Sequence, residues 1–120
     1  MKLQVLKRNL MRFAAAILIA LASFVAGPNA ALIRAAEANV ARVTDKTIVI
    51  PGHGPVGNKS QLIEFRDMLV SVREKVSALK KQGRSLEEVL AAKPTADYDA
   101  KWGGFVIDGK KFTGLVYQGV

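Results

Sequence analysis

The stretch Thr47-Ile48-Val49-Ile50-Pro51-Gly52-His53-Gly54-Pro55-Val56 decides how this chain is read. Four β-branched residues, Thr47 to Ile50, stand between Asp45-Lys46 and Pro51-Gly52. A compact run of that kind, bounded by turn residues, predicts a buried strand, central in a sheet covered on both faces. Pro51 has no N–H to give a ladder, so the strand must end there or stop pairing on that side. His53, the single histidine of the chain, then lies at the strand's exit, between two glycines and inside two prolines. Strand ends present side chains in a crevice, glycine lets backbone or ligand approach, and proline stiffens the turn; a metal-binding or catalytic imidazole needs all three. The same residues also suit an ordinary tight turn.

Helices are expected on both sides of this strand. Upstream, Ala31 to Val43 places Leu32, Ala36, Val40 and Val43 at helical spacing, which predicts a short amphipathic helix. Downstream, Asn58 can cap a first turn while Gln61 reaches back to it, and Leu62, Phe65, Leu69, Val72, Val76 and Leu79 follow at alternating spacings of three and four. A long helix from Lys59 to Gln82 with one apolar stripe follows, better suited to core packing than to a coiled coil. Lys80 and Lys81 favour its carboxyl end, and Gly83 suits the left-handed residue that closes it. Ser85-Leu86-Glu87-Glu88 is a capping box opening a short helix that ends at Lys93-Pro94. Thr95 to Gly104 reads as turn-rich and holds the single Trp, Trp102, whose ring is expected to anchor packing. Phe112 to Tyr117 fits a terminal strand and a helical tail equally.

The amino-terminal stretch is a separate object. Residues 1–12 carry Lys2, Lys7, Arg8 and Arg12 with no acid, and Phe13 to Ala26 is an apolar run with Ser23 its one polar residue. A basic region followed by 7–15 apolar residues is the pattern of a secretory signal peptide, and the run is shorter than the ~20 residues of an ordinary spanning helix. Cutting after Ala30 would place Pro28 at the third position before the cut, and cutting after Ala31 would place Asn29 there. Residues 1–28 are therefore expected to be a signal peptide or an amino-terminal membrane anchor. The protein is then exported (periplasmic or secreted), or membrane-anchored if the leader is kept. The chain has 120 residues and 18 Lys+Arg against 10 Asp+Glu, with four of those cations in the leader. In the remainder, basic residues are interleaved with acids along helices without a basic and aromatic cluster, so no nucleic-acid partner is expected. The absence of Cys excludes a disulfide framework, a Cys-based zinc knuckle and a thiol nucleophile.

The run from Thr47 through Val56, taken with what surrounds it, resembles the segment of the metallo-β-lactamase superfamily in which a strand ends at the last histidine ligand of a two-metal site. The preceding helix, the long helix, and Gly83-Arg84-Ser85-Leu86-Glu87-Glu88-Val89-Leu90-Ala91-Ala92-Lys93-Pro94-Thr95 followed by Tyr98-Asp99-Ala100-Lys101-Trp102-Gly103 look like the carboxyl-terminal end of its hydrolase-like members. The resemblance covers about residues 31–120. It implies an α/β fold: the carboxyl-terminal half of an αββα sandwich spanning residues 29–120, in the order helix, strand, His turn, long helix, short helix, tail. It also implies zinc as the cofactor of the complete two-metal site and His53 as a metal ligand. The His-x-His-x-Asp-His motif of that superfamily is absent from this chain, and one ligand cannot hold a catalytic zinc, which typically takes three protein ligands and a water.

The expected function is accordingly that of an exported fragment or truncated member of a zinc-dependent hydrolase, inactive alone, with no catalytic residue assigned. Its middle portion would be lost and the leader joined to the carboxyl-terminal part near residue 29. A partner supplying the missing half of the fold, or a second copy of the chain, would restore a site. The alternative is a small exported or membrane-anchored interaction module that uses helix 59–82 as its face. Glu87 and Glu88 point apart on a helix and do not form a carboxylate pair; Asp97 and Asp99 favour local turn hydrogen bonds.

Overall fold

In a computed structural model of the protein, residues 29–104 and 106–120 are described; the leader assigned to 1–28 lies outside them. The chain is helical at residues 29–42 (α1), then at Lys59–Lys81 (α2), Leu86–Ala91 (α3), Ala96–Trp102 (α4) and Gly109–Gln118 (α5). Each start and stop has a local cause. Asn58 Oδ1 accepts from the Gln61 amide at 3.2 Å while Gln61 Oε1 accepts from the Asn58 amide at 3.0 Å, completing the box that opens α2. At its other end Gly83 takes φ +81°, the Gly83 amide donates to Lys80 O and the Arg84 amide to Leu79 O. Those two bonds are the Schellman closure, and they turn the chain into Ser85. Ser85 and Glu88 form the second capping box, at 3.3 and 2.8 Å. Asp108 caps α5, accepting from the Lys111 amide at 2.7 Å.

The core is made by helices packing on helices. Met68, Leu69, Val72 and Val76 of α2 are buried with Ala36 of α1, Val89 of α3 and Val116 of α5. Phe65, Leu79, Tyr98, Trp102 and Phe112 pack around them. α5 is the hub, touching α2, α3 and α4. Its carboxyl end is closed by side chains from two distant helices: Asn29 Nδ2 donates to Leu115 O at 3.0 Å and Val116 O at 3.2 Å, and Lys80 Nζ donates to Tyr117 O at 2.8 Å and to Val120 O. Leu115 O and Tyr117 O belong to the last turn of α5, where carbonyls lack an amide within the helix, while Val116 O also accepts from the Gly119 amide.

The architecture departs from the expected α/β sandwich. Among the described residues there is no sheet, and strand structure is confined to one antiparallel bridge between Val49 and Gly57. Thr47 to Ile50, expected as a buried central strand, lies in the segment between α1 and α2 with Ile48 73 % and Ile50 78 % exposed. The physical reason is the lack of partners. Pro51 and Pro55 remove N–H donors from the two arms of the loop, so the ladder stops after one pair. The helices meanwhile cover one another: the α2 stripe is filled by α1, α3 and α5. One further reading is corrected and one left open is decided. Residues 96–102, expected as turns, form α4, because Asp97 and Asp99 stand in its first turn, where carboxylates favour a helix. Residues 112–117 belong to α5, not to a strand.

Candidate functional site

The bridge between Val49 and Gly57 closes a loop with His53 at its middle. Val49 N–H donates to Gly57 O at 2.9 Å and Gly57 N–H to Val49 O at 2.8 Å, so the two arms are fixed where they meet. Between them Gly54 adopts φ +117°, a conformation other residues rarely reach, and it turns the chain directly after His53. At Gly57 a Cβ would lie 2.5 Å from Gln61 Oε1, so a larger residue there would push the Gln61 side chain off the Asn58 amide. The loop runs directly into the first turn of the long helix, and it leaves His53 exposed on a bend rather than at the exit of a buried strand.

What the fold does not do is gather further ligands around it. Among the described residues no three His, Asp or Glu side chains stand close enough to hold a metal ion. Several of the carboxylates are engaged elsewhere. Asp97 binds Lys75 Nζ at 2.7 Å, and that hydrogen bond, reinforced by the charge of Asp97, raises the lysine's pKa above its ordinary value. Glu88 is held below the ordinary glutamate range, first by the Ser85 amide and then by the Arg84 side chain. Glu64 pairs with Lys101, and Asp108 is spent on the cap of α5. The described residues therefore do not assemble a metal-ligand set that includes His53.

A second concavity was not legible in the sequence. A crevice of about 250 Å³ opens among α1, α2, α4 and α5, walled by Leu32, Phe65, Met68, Tyr98, Trp102 and Phe112. Trp102 behaves as the expected packing anchor, its ring 5.6 Å from that of Phe65 and tilted by 51°. The wall is mostly apolar, with Thr95, Asp99 and Asp108 also in its lining. The signal that could have found it is the aromatic spacing Tyr98–Trp102, i to i+4 on one helix face, read together with Phe112.

Away from the crevice, Ile48, Ile50 and Val56 on the His53 loop and Val106 before α5 are exposed apolar side chains. No protein-family model, no curated protein and no solved structure matches the chain.

Proposed function

We propose that this chain is a non-catalytic, ligand-donating part of a metal-dependent hydrolase of the metallo-β-lactamase type, exported or membrane-anchored, that offers His53 to a zinc site whose other ligands come from another protein body. One observation carries the reading: His53 stands exposed on a stiff, anchored loop, flanked by the uncovered side chains of Ile48, Ile50 and Val56, while the helices behind it already form a closed core. Exposed apolar residues around a polar donor are what a binding surface looks like before its partner is present. In a shared site His53 would supply one ring nitrogen, and zinc would supply a Lewis acid and a bound hydroxide.

The interaction module built on α2 is less well supported, because Leu69, Val72 and Val76, the residues of its face, are buried in the chain's own core. The test is elemental analysis of the purified full chain after exhaustive buffer exchange, alone and with a metallo-β-lactamase-type hydrolase deleted of its own last histidine strand. The chain alone should hold far less than one zinc per molecule. The mixture should gain zinc and hydrolysis, and both should be lost with His53→Ala. Stoichiometric zinc in the isolated chain, or a mixture equally active with His53→Ala, refutes the proposal.

A further inference from the structure

The bonded pair Val49–Gly57 fixes the direction of every backbone group near it. In an antiparallel pair of this kind the N–H and C=O of a residue point at its partner, and those of the residues on either side point the opposite way. Ile48 and Ile50 therefore turn their amides and carbonyls away from Gly57, and no backbone hydrogen bond reaches them among the described residues. Their side chains share one face of the pleat, opposite that of Val49, and both are largely exposed. Pro51 has the parity of Val49, so its missing N–H shortens the inner ladder and leaves the outer edge intact. No lysine or proline stands within residues 48–50 to blunt that edge. An open edge carrying isoleucines is a template for one more strand.

The edge is also its own complement. Two copies laid antiparallel about a two-fold axis at Val49 bring Ile48 opposite the partner's Ile50, and Ile50 opposite the partner's Ile48. Each of those pairs exchanges two hydrogen bonds, and Val49 faces the partner's Val49 as the non-bonded pair between them. We propose that a second copy of this chain covers the outer edge of residues 48–50 in this register. The result is a two-fold dimer with a four-stranded ribbon in which the two Gly57 arms lie outermost. All four isoleucine side chains then lie on one face, in cross-strand contact. The pairing needs no metal and no ligand role for His53, so it stands or falls separately from the reading above. A protein body docking at the loop would contend for the same edge, which makes the dimer the form of the chain when it is alone.

The chain has no cysteine, so a single introduced thiol reports register without background. A non-bonded antiparallel pair places Cα atoms about 4.5 Å apart, within disulfide reach, whereas residues two positions out of register are beyond it. The full chain carrying Val49→Cys, held in mild non-ionic detergent under gentle oxidation, should form a disulfide dimer at least about 10-fold faster than Ile48→Cys or Ile50→Cys alone. Mixing the Ile48→Cys and Ile50→Cys chains should restore cross-linking between the two. That mixture reads the same register even if Val49→Cys disturbs the bridge. Equal cross-linking of all three single variants, or none in Val49→Cys and none in the mixture, overturns the proposal.

Discussion

Replacing Val76 and Ile50 by alanine, one at a time, separates the helical core from the strand that the sequence suggests. Val76 is fully buried, between α2 and its neighbours. Val76→Ala removes two methyl-sized groups worth about 0.8 kcal/mol each in transfer, with a cavity term added because the surrounding helices relax only in part. The expected loss is about 2 to 3 kcal/mol. Ile50 is 78 % exposed, so only about a fifth of its transfer free energy is realised and Ile50→Ala should cost no more than about 0.5 kcal/mol. A buried central strand would reverse that ranking, with Ile50→Ala costing about 2 to 5 kcal/mol. Urea unfolding of the full chain followed by far-UV circular dichroism, at a concentration low enough to keep it monomeric, reads both. With a slope near 1 kcal/mol per molar urea, Val76→Ala moves the midpoint by roughly 2 to 3 M and Ile50→Ala by less than roughly 0.5 M. An Ile50→Ala loss equal to that of Val76→Ala would refute the assignment of the core to the helices.

Three smaller tests address the helix ends. Asn58→Ala removes the acceptor for the Gln61 amide and should lower stability by about 1 kcal/mol, measured in the same urea titration. Gly83→Ala forces a Cβ into the left-handed conformation at φ +81° with no steric clash nearby, so its cost is conformational, about 1 kcal/mol, and Gly83→Asn should recover part of it. Glu88 titrates below the ordinary glutamate value in the folded chain, so its contribution is present above that ordinary value and lost as pH falls through the folded one. Stability measured between about pH 5 and pH 3 should therefore fall less steeply in Glu88→Gln, which keeps a side-chain oxygen for the Ser85 amide but has no charge to lose.

The features legible in the sequence were those whose partners lie three to five residues away. Asn58 with Gln61, Ser85 with Glu88, and Gly83 after the lysines of α2 all satisfy helix ends by local bonds, and local bonds follow from spacing. Ile48 and Ile50 were misplaced because a strand is stabilised by residues far along the chain, and β-branched spacing does not reveal whether such partners exist. α5 could not be decided for the converse reason. Gly109, Gly114, Thr113 and Val116 are poor helix formers, and it is the burial of Thr113 and Val116 against the other helices that holds them helical. The position of His53 on a turn was readable from its glycines and prolines. Whether three donors converge on it was not, since convergence is a property of the fold.

The tie from Asn29 to the end of α5 has a consequence for the order in which the chain assembles. It spans 86 residues to Leu115, and closing a flexible loop of that length costs about 4 kcal/mol or more. Two hydrogen bonds from one amide, each worth about 1 kcal/mol net, do not offset that alone. The contact of Lys80 with Tyr117 spans only 37 residues, and the apolar packing of α2 on α5 comes with it. Once α5 is docked on α2 the loop still to be closed from α1 is shorter and costs somewhat less, and the Asn29 bonds offset it together with the packing of Ile33 and Ala36. α1 therefore joins last on folding and leaves first on local opening, so that its amides should lose hydrogen-exchange protection well before those of α2.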